Sequence, residues 1–191
     1  GEKFKTLEGN AEEKTVAVIM STSLGDIELV VYPEKAPLSA GDFLNYVDRG
    51  LYQGAAFYRV VRPDNDNGTP VIETIQGGLL TETPPTKPIA HESTQQTGIK
   101  HLNGTISLAR RDVGSATAAA FFIIIGDQPS MDFGGSRTAD KQGFSAFGHV
   151  VKGMEVVRAI QQIRETSNEG PFVKGQMLSN PIAIESVKRK S

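Results

Sequence analysis

The sequence predicts a mainly β fold: a closed or nearly closed antiparallel barrel with helices over its ends. Three observations lead there. About seven or eight short runs rich in β-branched and aromatic residues are separated by turn signals. Only two stretches carry apolar residues at helical spacing. No internal repeat of fixed period interrupts them. At 191 residues, with 38% hydrophobic and 22% charged residues, the composition is that of a globular chain and the length fits one domain, here residues 15–191.

In chain order, TVAVIMSTSLGDIELVVY gives two strands, about 15–21 and 26–32, joined by the turn cluster Ser23-Leu24-Gly25-Asp26. A loop flanked by Pro33 and Pro37 then delivers Ser39 and Asp42, spaced like a capping box. Phe43, Tyr46 and Val47 follow at i, i+3 and i+4, predicting a helix over 39–49 that ends at Gly50. Strand 55–61 holds an arginine, Arg59, in Ala56-Phe57-Tyr58-Arg59-Val60-Val61. A polar loop over 62–70 leads to Ile75-Gln76-Gly77-Gly78. Residues 80–103 have no period and predict a long irregular loop. Strands are expected at 105–109, 120–125, 146–151 and 181–187, and a second helix at 154–163.

Several functional classes lose support. The net charge of −2 argues against nucleic acid, whose partners carry a basic face, and the terminal Lys188-Arg189-Lys190 reads as a solvated end. With no cysteine in the chain, disulfides, thiol nucleophiles and cysteine zinc sites are excluded. The longest apolar run, Ala118–Ile125, is far short of the roughly 20 residues that cross a bilayer, so no membrane insertion is expected. His91, His101 and His149 share no ligand spacing and are expected in loops or on the surface, and no metal or other cofactor is predicted. Neither G-x-S-x-G nor a phosphate loop is present. The two N-G-T triplets, at Asn67 and Asn103, read as turns rather than glycosylation sites.

In one order, GDIELVVYPEKAPLSAGDFLNYV, FYRVV, IQGG, NGTISLAR, AAAFFI and FSAFGHVVKGMEVV resemble the cyclophilin family of peptidyl-prolyl cis-trans isomerases over roughly residues 15–190. The resemblance implies an eight-stranded barrel capped by two helices, and a cofactor-free enzyme acting on X–Pro bonds of extended or unfolded polypeptides. It assigns catalysis to Arg59. Gln76 would hold the substrate backbone, Phe122 and Met131 would line the proline pocket, and Ala109 would lie along the peptide path.

Other positions match the family's site in place but not in type. Glu73 and Thr74 stand for its phenylalanine and methionine, Ala120 for a polar residue, Arg110 for an asparagine, Ser130 for a tryptophan and Phe144 for a histidine or tyrosine. These substrate-binding positions, with the 62–70 loop rising beside the groove, imply a pocket whose floor is kept and whose wall, through Glu73, becomes polar and negatively biased. The alternative function is a proline-peptide binding chaperone or scaffold with little isomerase activity. A monomer is expected. A polar leader over residues 1–14, expected to be flexible, and the absence of cysteine suit a periplasmic or secreted protein, with a cytoplasmic location left open.

Overall fold

The structure, a computed structural model, describes residues 14–191; apart from Lys14, the expected leader lies outside the described residues. The strands are β1 (Val16–Thr22), β2 (Gly25–Val31), β3 (Ala56–Val61), β4 (Thr74–Gly78), β5 (Thr105–Leu108), β6 (Ala120–Ile124), β7 (Ser145–Lys152), β8 (Thr166–Ser167) and β9 (Met177–Arg189). Eight of them close a ring in the order β1-β2-β7-β5-β6-β4-β3-β9, with β9 returning to β1. All pairings in the ring are antiparallel. Closure leaves no long unpaired edge. The two-residue β8, which the sequence does not announce, sits outside the ring on β9.

Strand β9 is longer than expected because it serves two neighbours: Met177, Ile182 and Ala183 pair with β3, and Ile184–Arg189 with β1. The basic C-terminal run is solvated as expected, its side chains exposed, but its backbone is paired in β9 rather than free. Arg189 forms an ion pair with Asp48 and Lys190 with Glu28.

Side chains alternate between the barrel interior and its outer face. Met20, Ile27, Leu29, Phe57, Ile75, Ile106, Phe121, Ile123 and Phe147 point inward and are fully buried. Helix α1 (Pro37–Asp48) closes one end, burying Phe43, Tyr46 and Val47, with the Phe43 ring 5.1 Å from Phe147. The expected capping box does not form. The helix starts earlier, with proline in its first turn and no side-chain cap from its own cap residue. Its first donors are met by a distant carboxylate: Glu92 accepts from the Leu38 and Ser39 amides at 3.0 and 2.7 Å and from the Ser39 hydroxyl at 2.7 Å. Asp42 instead accepts from the Ala118 amide at 2.8 Å. Its carboxyl is raised because burial outweighs that bond.

The segment expected to be irregular contains one helical turn, α2 (Thr94–Thr97), capped by the Ser93 hydroxyl. It also carries His101, which is fully buried rather than at the surface. Helix α3 (Met154–Gln161) lays Val156, Val157, Ile160 and Gln161 inward and packs on β2, β3 and β4. Among the described residues no helix is long and apolar enough to cross a membrane.

Candidate functional site

Plain alternation along β3 would send Arg59 into the barrel, because Phe57 points inward. The register slips between Phe57 and Arg59 on both sides of the strand, against β4 and against β9. The extra residue is Tyr58. A bulge of this kind turns the following side chain over, so Arg59 and Val61 face outward while Val60 returns to the core. Arg59 then lies opposite Gln76, Gln76 opposite Phe122, and Phe122 opposite Ser107. One row crosses four strands on the outer face.

Neutral amides orient Arg59. Its Nε donates to Gln176 Oε1 and its Nη1 to Gln76 Oε1, both at 2.9 Å. Gln176 is fully buried and anchored in turn by donating to the Asn65 carbonyl at 2.9 Å. Burial lowers the Arg59 pKa, as does the nearby Arg137 cation. The side chain stays charged all the same, because an arginine starts far above neutral pH, and among the described residues no carboxylate hydrogen-bonds to it.

Beside this guanidinium is a cavity of about 200 Å³ lined by Arg59, Val61, Ile72, Thr74, Gln76, Ala109, Arg110, Phe122, Met131, Arg137 and Phe144. Its floor is a small apolar cluster of Val61, Ile72, Phe122, Ile124 and Met131, with Ala109 and Phe144 packed on it. Phe122 and Phe144 meet edge to face at 5.0 Å. Behind them, His101 stacks on Phe122 at 6.5 Å. Its ring is fixed by Asp132 Oδ1 at 2.8 Å and the Ser107 hydroxyl at 2.9 Å.

Of the residues singled out from the sequence, Arg59, Thr74, Gln76, Ala109, Arg110, Phe122, Met131 and Phe144 share this cavity. Ala120 does not: it lines an adjoining hollow of about 420 Å³, joined to the first through Gln76, Ala109 and Arg110. Glu73 is not on the wall. It faces α3, where its carboxylate accepts from Gln161 Nε2 at 3.0 Å. Because sides alternate, Ile72 and Thr74 take the positions on the cavity, and the wall is not acidic.

The rim is instead cationic. Arg110 bonds both oxygens of Asp140 at 3.0 Å and the Gly143 carbonyl at 2.9 and 2.6 Å, and its guanidinium lies 5.3 Å from the centre of the Phe144 ring. The Arg110 hydrogen bonds and the Gln142 amide pull the Asp140 carboxyl down to about 2. No residue of the 62–70 loop lines the cavity itself; the loop reaches it through Asp66, which grips the cavity residue Arg137. Among the described residues no group of three or more His, Cys, Asp or Glu is placed to hold a metal ion.

A family model for cyclophilin type peptidyl-prolyl cis-trans isomerase/CLD matches residues 17–188. The chain belongs to the cyclophilin family. It is 35% identical over 175 residues to peptidyl-prolyl cis-trans isomerase A of Dickeya dadantii (strain 3937), covering 90% of this chain and 83% of that one. It is 34% identical over 178 residues to a peptidyl-prolyl cis-trans isomerase of Acinetobacter baylyi, covering 91% of this chain and 85% of that one. Among solved structures, a cyclophilin type peptidyl-prolyl cis-trans isomerase of Cryptosporidium parvum superposes with a TM-score of 0.68 at 18% identity, covering 93% of this chain and 99% of that chain. That likeness concerns the fold.

Within this cyclophilin, the paired glycines after Gln76 have a packing reason. A Cβ on Gly78 would stand 2.0 Å from the Ala119 carbonyl oxygen, and its φ is +118°. The close approach of β4 to β6 sets the Gln76–Phe122 register. Sequence reasoning missed Val61, Ile72, Arg137 and Gln176. The first two lie at even offsets from Arg59 and Gln76 and were readable from strand alternation; Arg137 and Gln176 sit in loops with no periodic signal.

Proposed function

We propose that this cyclophilin is a peptidyl-prolyl cis-trans isomerase that takes extended X–Pro segments across the two joined hollows. The observation that carries the reading is a charged guanidinium held by two glutamine side chains at the edge of an apolar cavity. Amide resonance sets a barrier of about 18–20 kcal/mol to rotation. In the twisted transition state the prolyl nitrogen has lost conjugation and regained a lone pair. No nucleophile or proton relay is required. Arg59 keeps Nη2 and one Nη1 hydrogen free of protein acceptors among the described residues, and either can donate to that nitrogen. The bond exists only when the amide is twisted, so it lowers the barrier rather than merely tightening binding.

The proline ring packs on Phe122, Met131 and Val61, and the neighbouring residues run past Gln76 and Ala109 toward the second hollow. A related solved structure, the Cryptosporidium parvum isomerase, is described in the presence of the dipeptide Ala-Pro, which fits a site for short proline-containing peptides. Action on unfolded chains as a folding assistant, as a monomer and in an exported location, belongs to the same proposal. The test is isomerisation of an Ala-Ala-Pro-Phe peptide with Arg59→Ala as control: turnover by the wild type that the variant loses supports the reading, and equal rates refute it. The altered wall keeps a binding module as the second reading, marked by peptide binding without turnover.

A further inference from the structure

Arg137 enters the cavity from a loop that no strand dictates, and it is held more firmly than a surface arginine needs to be. The Asp66 carboxylate, with no exposed side-chain surface, takes Nη1 and Nη2 of Arg137 at 2.7 and 2.9 Å. It also accepts from the Gly68 and Ile72 amides, both at 2.9 Å, and the Pro70 carbonyl takes the other Nη1 hydrogen at 2.9 Å. Gly68 lies against the flat of the guanidinium: a Cβ there would stand 2.7 Å from Cζ. These contacts fill the end of the guanidinium. Its side edge, Nε–H and the second Nη2–H, has no acceptor among the described residues, and Arg137 lines the cavity with Arg59. A fixed pair of parallel N–H groups matches the two oxygens of a carboxylate.

The surrounding charge favours the same ligand. Asp66 and Asp140 are each spent on one arginine, while Arg59 has only neutral amide partners, so the cavity carries unbalanced positive charge.

We propose that Arg137 is a specificity-determining residue: its free edge recognises a substrate carboxylate next to the proline, making this a site that prefers acidic X–Pro segments. Arg137 lines the first hollow and not the second, which puts the carboxylate on the flank of the proline away from the second hollow. An Asp or Glu side chain and a chain-terminal carboxylate share this chemistry. The inference rests on the X–Pro reading of the groove.

The test compares four-residue peptides with glutamate or glutamine on either side of proline, each with a free or an amidated C-terminus. For the favoured flank, the carboxylate form should have a kcat/KM about tenfold above its neutral counterpart, as for one charge-assisted bidentate contact at a partly exposed site, shrinking at high salt. The flank and terminus arms show which source supplies the carboxylate. Arg137→Ala would leave Asp66 buried without its cation, so the informative variants are Gly68→Ala, which pushes the guanidinium aside, and Arg137→Lys, which keeps the charge without the paired edge. Both should bring the ratio toward one. Equal kcat/KM for the acidic and neutral peptides in the wild type overturns the proposal. So does an equal loss on both in the variants, which would make Asp66–Arg137 a structural latch. If the wild type turns over none of the peptides, the isomerase reading fails, and NMR titration of the same pairs still decides the carboxylate preference from their binding ratio.

Discussion

Gln176→Ala isolates how far catalysis depends on the aim of Arg59 rather than on its presence. Gln176 is fully buried, accepts from Arg59 Nε at 2.9 Å and donates to the Asn65 carbonyl at 2.9 Å. Losing a neutral hydrogen bond costs about 1 kcal/mol and one to a charged group about 1.5–3 kcal/mol, so the fold should lose about 3 kcal/mol. Arg59 then keeps only its bond to Gln76. Re-ordering a freed arginine costs up to about 2 kcal/mol, and that cost falls on the transition state. At about 1.4 kcal/mol per tenfold, kcat should drop by roughly 5–30-fold, with KM changed much less because the proline floor of Phe122 and Met131 is intact. Thermal melting gives the first quantity, and isomerisation of an X–Pro peptide well below the melting temperature gives the second. Gln176→Glu, which keeps an acceptor for Nε, should retain more kcat than the alanine variant. A Gln176→Ala protein with wild-type kcat would refute the claim that the buried amide aims the guanidinium.

Glu92→Ala removes three hydrogen bonds from the start of α1 and should cost about 2–4 kcal/mol, with Glu92→Gln less severe, read from chemical denaturation. Gly78→Ala places a Cβ 2.0 Å from a backbone oxygen at a φ of +118°, so it should destabilise by well over about 1 kcal/mol and lower the melting point sharply. Asp140 has a folded pKa of about 2 against an ordinary 3.8. Its contribution is present above about pH 4 and is lost as pH falls toward 2. Asp66 is depressed as well: burial works to raise it, and its bonds from Arg137 and two amides outweigh that. Melting temperature should therefore fall on acidification through this window, with a shallower slope in Asp140→Asn; identical slopes would show that the Arg110 pair adds nothing to stability.

Local pattern made the barrel legible. Period-two runs and turn glycines mark most strands, and the stripe Phe43, Tyr46, Val47 marks α1. What escaped depends on contacts distant in sequence. Glu92 caps α1 from 53 residues downstream of Ser39, so the nearer Ser39–Asp42 spacing suggested a cap that the fold does not use. The bulge at Tyr58 leaves no trace in composition, yet it decides that Arg59 faces the cavity. Glu73 was misplaced although the rule was available: it stands at an odd offset from Gln76, which sends it to the opposite side. Arg137 and Gln176 were invisible because loop geometry is set by partners such as Asp66 and Asn65 rather than by periodicity.

The central claim is that Arg59 acts on the twisted prolyl amide and not on the resting peptide. Measuring kcat for X–Pro isomerisation and Kd for the same peptide in the wild type and Arg59→Ala tests it most directly. The account predicts a fall in kcat of about a hundredfold or more, the range for removing one preorganised transition-state donor, with Kd changed only a few-fold. Equal losses in kcat and in affinity, or an unchanged kcat, would contradict it.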